Sequence, residues 1–118
     1  MSMENCVFCK IIAGEMPAKF VYQDDLIVAF PDIKPSAPVH ILIVPKKHTE
    51  SLKTTSEEDQ VLLGKMLLIA GKIAKDLGIS ESGFKVVINN GPDAGQLVKH
   101  LHFHLLGGWA KNEGRVTI

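Results

Sequence analysis

The stretch Lys99-His100-Leu101-His102-Phe103-His104-Leu105 sets an imidazole at every second position, with a large apolar side chain between each pair. On an α-helix a two-residue step turns by about 200°, which scatters three rings around the axis. On a β-strand, residues i, i+2 and i+4 share one face. The spacing therefore predicts a strand over 98–106, with His100, His102 and His104 on one face and Leu101, Phe103 and Leu105 turned toward a core. Three rings in register on an otherwise apolar strand each need hydrogen-bond partners. The row thus points to a site, since imidazole near neutral pH serves as nucleophile, proton donor or acceptor, or metal ligand.

The other elements can be placed around that strand. Residues 7–13 (VFCKIIA) read as a short helix stopped by Gly14 and Pro17. The β-rich runs 20–23 and 26–30, separated by Asp24-Asp25, read as a hairpin. Three prolines in PDIKPSAP make 31–38 a loop, and HILIVPKK (40–47) reads as a buried strand. A long helix is expected over 55–77, with Thr55 and Glu58 as a capping box and Gly78 at C′. Its apolar stripe is 62, 66, 69, 70, 73 and 77. A second stripe, Leu63, Leu67 and Ala74, widens the apolar surface, as in a helix buried deeply in its own domain or, the reading preferred in so small a protein, one that forms a homodimer contact. FKVVI (84–88) completes the strands. Strands around one long helix predict an α+β domain with an antiparallel sheet, and 118 residues suffice for a single domain over 1–118.

Composition excludes some roles. Formal net charge is zero, which argues against a broad grip on nucleic acid. No run approaches the ~20 apolar residues of a membrane span. The start MSMENCVFCK lacks the pattern of an export signal, so a reducing, cytoplasmic location is expected. Cys6 and Cys9, the only two cysteines, then read as free thiols or metal ligands. Their CxxC spacing alone does not choose among redox chemistry, half a zinc site and two unrelated thiols. Between two strands, NNGPDAGQ (89–96) carries Gly95, where backbone N–H groups can cradle an anionic oxygen.

HLHFHLL at 100–106, FCKIIAGEMPAK at 8–19, VAFPDIKPSAPVHILIVPKKH at 28–48 and VINNGPDAGQ at 87–96 together resemble the histidine triad (HIT) family. The resemblance covers nearly the whole chain and is strongest to the Hint-like purine nucleoside phosphoramidases. It implies the HIT fold: about five antiparallel strands, one long helix, a short N-terminal helix and a homodimer. It implies cleavage of the P–N bond of a purine nucleoside phosphoramidate, releasing AMP or GMP through a nucleotidyl-histidine. His102 would be the nucleophile, His104 the phosphate-orienting partner, and His40 a residue that polarises the site. Asn89, Gly95, Gln96 and the Val98 backbone would surround the α-phosphate, and Asp32 would hold the ribose. Phe8, Ile11, Phe30, Ile33 and Leu42 would form the slot around the base.

Two departures stand out. Many Hint-like proteins carry a serine after the Gly-Gln pair, where this chain has Leu97, and the tail 109–118 does not follow the animal members. Resemblance to zinc-bearing bacterial members also implies a structural Zn2+ held by Cys6, Cys9, His48 and His100, with no organic cofactor. Two other functions compete: hydrolysis of dinucleoside polyphosphates, and nucleotide binding with little turnover.

Overall fold

The computed structural model describes residues 5–111 and 113–114. Along the chain run α1 (Val7–Ile12), β1 (Tyr22–Gln23), β2 (Ile27–Pro31), β3 (Val39–Pro45), α2 (Gln60–Asp76), β4 (Phe84–Val87) and β5 (Phe103–Gly107). The five strands form one antiparallel sheet in the order β1-β2-β3-β5-β4. None of the described helices is long and apolar enough to cross a membrane.

Strand alternation divides the sheet into two faces. Ile27, Ala29, Ile41, Ile43, Phe103 and Leu105 pack beneath α2, against Met66, Ile69, Ala70 and Ile73. On the opposite face Val28, Phe30, Leu42 and Val44 pack with Phe8 and Cys6 at α1. Register sets Leu42 opposite His104 and His40 opposite Leu106, so both histidines fall on this second face.

Local chemistry explains where the elements end. Asp24 turns the first hairpin, its Oδ1 accepting from the Leu26 and Ile27 N–H groups. Helix α2 starts at residue 60 rather than 55. Thr55 instead donates its hydroxyl to the Leu52 carbonyl, and residues 57–59 form a 3₁₀ turn. In that turn the Asp59 carboxylate takes the Ser56 N–H at 3.0 Å and the Lys47 ammonium at 2.7 Å. The helix closes in a Schellman pattern, with Ile79 N–H donating to Ala74 and Gly78 N–H to Lys75, and Gly78 at φ +75°. That pattern buries Ile79 and leaves Leu77, expected in the apolar stripe, exposed.

The last strand is shorter than expected, beginning at Phe103 instead of residue 98. Pro45 has no N–H to extend the ladder. Its carbonyl is taken by the side chain of His100 at 2.7 Å. Leu101 N–H turns aside to the Thr49 carbonyl. Side chains still alternate through this irregular stretch, with Leu101 in the core under α2.

Candidate active site

The histidine rings stand in two groups on the α1 face. Successive centroids lie 4.7 Å apart for His48–His100, 4.8 Å for His102–His104 and 5.1 Å for His104–His40. Phe8 stands edge-on to both His100 and His102, bridging the two parts.

A carbonyl only accepts, so each ring that meets one has a fixed tautomer. His102 Nδ1–H donates to the His100 carbonyl at 2.7 Å, which leaves Nε2 with its lone pair. His100 Nε2–H donates to the Pro45 carbonyl, which leaves Nδ1 bare. On His40 the constraint comes from a donor. Ser36 N–H donates to Nδ1 at 2.9 Å, so the ring proton sits on Nε2, 2.9 Å from His104 Nδ1.

Burial keeps these rings neutral. It lowers the pKa of His102 and His40, and with the neighbouring His102 and His40 it pushes His104 down to about 4. Asp32 Oδ2 lies 3.5 Å from His40 Nε2, within ion-pair reach. Yet burial outweighs the carboxylate in the balance on His40, so the contact is between a carboxylate and a neutral ring. Asp32 also caps a turn, its Oδ1 accepting the Lys34 N–H at 2.9 Å.

These groups open on a cavity of about 730 Å3. Phe8, Phe30 and Leu42 give it an apolar wall; His40, His102 and His104 line it, as do Asp32, Asn89, Gly95 and Val98. Ile33 stands at its edge, 94% exposed, and Leu97 likewise at 93%. Two of the expected residues lie elsewhere. Ile11 packs against the apolar cluster behind the wall. Gln96 does not line the cavity; its side chain is spent inside the loop, accepting from Gly91 N–H and donating to the Glu50 and Val98 carbonyls.

Gly95 has φ +91°, and no atom lies within 4 Å of where a Cβ would stand. Glycine is thus required by backbone conformation, not by protein crowding. Sequence reasoning missed Lys19, Lys34 and Ser36, which also line the cavity. The KPSAP loop carried no signal for Lys34 and Ser36 beyond its prolines.

Behind the row, Cys6, Cys9, His48 and His100 bring their ligand atoms within 4.8 Å of one another. Cys6 Sγ is 3.3 Å from His100 Nδ1, and Cys9 Sγ is 3.2 Å from His48 Nδ1 and 3.6 Å from His100 Nδ1. Tetrahedral coordination with metal–sulfur and metal–nitrogen bonds of roughly 2.3 and 2.1 Å gives sulfur–nitrogen edges of roughly 3.6 Å. The donor set and its spacing therefore fit a closed four-ligand metal site. The bare Nδ1 of His100 faces it, held by the Pro45 carbonyl behind the ring. With protein atoms alone, burial and the Cys6 thiol push Cys9 up to about 11. A bound cation is what stabilises a thiolate there. Cys6 also caps α1, accepting from Cys9 N–H, so the same residue starts the helix and faces the cluster.

Asp32, His40 and His104 form a second group of close donor atoms, but of a different kind. Here a ring proton already lies between His40 Nε2 and His104 Nδ1. The other His40 nitrogen faces an N–H that cannot accept that proton. This group is knit by a directional chain of N–H donors, whereas the cysteine cluster brings two thiols and two imidazole nitrogens within 4.8 Å of one another.

Comparison with known proteins agrees with this arrangement. Residues 13–111 match the HIT domain. The chain is 51% identical to protein HitA of Neisseria gonorrhoeae over 105 residues, 89% of this chain and 97% of HitA. It is 47% identical to the purine nucleoside phosphoramidase of Escherichia coli K12, over 89% of this chain and 88% of that protein. A HIT family hydrolase from Clostridium thermocellum superposes with a TM-score of 0.92 at 45% identity, over 99% of this chain and all of its own. By sequence, fold and histidine row alike, the chain belongs to the HIT family.

Proposed function

We propose that the protein hydrolyses the P–N bond of purine nucleoside phosphoramidates, releasing AMP or GMP through a nucleotidyl-His102 intermediate. The observation that carries this reading is the His102 tautomer. With Nδ1–H held by the His100 carbonyl, the Nε2 lone pair is left for attack on phosphorus. A Nε2–P bond forms as the P–N bond breaks, and the amine departs with a proton taken from solvent, which the attacking water of the second step returns. Water then attacks phosphorus, breaks the Nε2–P bond and returns His102 to its neutral state.

His104, within ring contact of His102, is placed to donate from Nε2 to a phosphoryl oxygen. The Gly91–Val98 loop and Asn89 would border the α-phosphate, Asp32 the ribose, and Phe8, Phe30, Ile33 and Leu42 the base. The phosphoramidase at 47% identity supports the substrate class.

The same reading assigns Zn2+ to Cys6, Cys9, His48 and His100, because two thiols and two imidazoles are a zinc-type donor set. Such an ion would be structural, tying α1 to the strand end that carries His102. Free thiols in this number suit a reducing cytoplasm. A homodimer belongs to the proposal too, through the exposed side of α2. Of the stripe expected there, Ala74 is buried and Leu63 half-buried against the chain's own core. Val61 at 79%, Leu67 at 54% and Leu68 at 77% exposure remain for a partner.

The test is release of AMP from adenosine 5′-phosphoramidate by the wild type and by His102→Ala, with folding checked by circular dichroism. Turnover by the wild type alone is expected. Turnover by both, or by neither while AMP still binds, would overturn the proposal. Diadenosine tetraphosphate run in parallel separates phosphoramidase from polyphosphate hydrolase.

A further inference from the structure

Ser36 lies in the proline-rich loop and has no place in the chemistry described so far. Its backbone N–H nevertheless ends a directional chain. Ser36 N–H donates to His40 Nδ1 at 2.9 Å. His40 Nε2–H, the only ring proton left to it, points at His104 Nδ1 at 2.9 Å. His104 Nδ1 therefore accepts, and its single proton must sit on Nε2, on a ring that lines the cavity.

We infer that the Ser36 amide is a positioning group that locks His104 as a Nε2–H hydrogen-bond donor and bars it from acting as a proton source. The lock follows from what each end of the chain can do. For His104 to give up its Nε2 proton and stay neutral, it must take the proton of His40 at Nδ1. His40 would then need a proton at its own Nδ1. That nitrogen faces an amide N–H, which neither accepts a proton nor readily yields one. The alternative is an imidazolate beside the Asp32 carboxylate, 3.5 Å away, and that places two anions together in a partly buried site. The chain orients protons without conducting them. Protonated His40 is barred by the same contact, because an imidazolium donates from both nitrogens and one of them already meets a donor.

This inference rests on the phosphoramidase reading only for what His104 faces during turnover; the tautomers themselves are independent of it. The first measurement is the nitrogen NMR spectrum of the wild type with 15N-labelled histidine, near neutral pH. His40 and His104 should each show a protonated Nε2 and a bare Nδ1, and His102 the reverse. A His104 carrying its proton on Nδ1, or on both nitrogens, would overturn the proposal whether or not the protein is a phosphoramidase.

The second measurement compares Ser36→Pro, which deletes the N–H, with Ser36→Ala, which keeps it. No side-chain hydrogen bond of Ser36 is present to confound the alanine variant among those the structure shows. Ser36→Pro should let both tautomers of His40 and His104 appear and lower kcat by about tenfold, as expected for one misdirected hydrogen bond in the transition state. Ser36→Ala keeps that N–H and should retain the wild-type tautomer order of His40 and His104. Loss of the tautomer order in Ser36→Ala, or its full retention in a folded Ser36→Pro, would overturn the assignment. Should Ser36→Pro fail to fold, replacing the Ser36 amide by an ester in semisynthetic protein removes the same N–H without proline's ring, with the same expected and refuting results.

Discussion

Replacing Gln96 tests whether the loop beside the histidines is built as described. Its amide is buried and makes three hydrogen bonds, accepting from Gly91 N–H at 2.8 Å and donating to Glu50 O at 2.6 Å and Val98 O at 3.0 Å. Because an N–H only donates and a carbonyl only accepts, these partners fix which end of the amide is which. At about 1 kcal/mol per bond, with some rehydration of the freed groups, Gln96→Ala should cost about 2–3 kcal/mol. Gln96→Glu is the sharper variant. It keeps the acceptor for Gly91 but turns a carboxylate toward two carbonyl oxygens, so it should be less stable than alanine by about 1 kcal/mol or more near neutral pH. Urea unfolding followed by circular dichroism measures both, and KM for the phosphoramidate should rise as the loop loosens. A cost below about 0.5 kcal/mol for alanine, or a glutamate variant as stable as wild type, would refute the reasoning.

Two further outcomes are expected. In metal-free protein, burial holds the His100 pKa at about 4, below the 6.5 of an exposed ring, so the unfolded chain binds the extra proton first. Stability is then complete above pH 6.5 and falls as pH drops toward 4, by about 3 kcal/mol from this ring alone; urea midpoints in chelator that stay flat across that window would contradict it. On the proposed α2 interface the wild type should be a dimer by light scattering and Val61→Asp with Leu68→Asp a folded monomer, and a wild-type monomer would remove that interface.

Much of this architecture was legible because its signals are local. The His–apolar alternation specified a strand face, and residues 101, 103 and 105 indeed face α2. The helix end was legible because Gly78 closes it by backbone geometry alone. What escaped were the features decided by partners distant in sequence. The start of α2 depends on Lys47 meeting Asp59, and the start of β5 on Pro45 meeting His100. Only the family resemblance implies a place for Gln96 beside the α-phosphate, and the bond from its amide to the distant Glu50 carbonyl had no local signal. Ser36 was invisible for a related reason: its part is played by a backbone atom, which every non-proline residue supplies.

The two faces of β5 give the chain an unusual sensitivity to length. Site and core alternate residue by residue from Leu101 to Leu105, so losing one residue there exchanges them wholesale: imidazoles would be driven beneath α2 and leucines into the cavity. Losing two neighbours restores the phase at the cost of one imidazole and one core side chain. Deletions in this segment should therefore follow a parity rule, with odd ones more damaging to folding than even ones. In a gene library of small deletions, that parity would show as a comb in the frequencies of surviving chains.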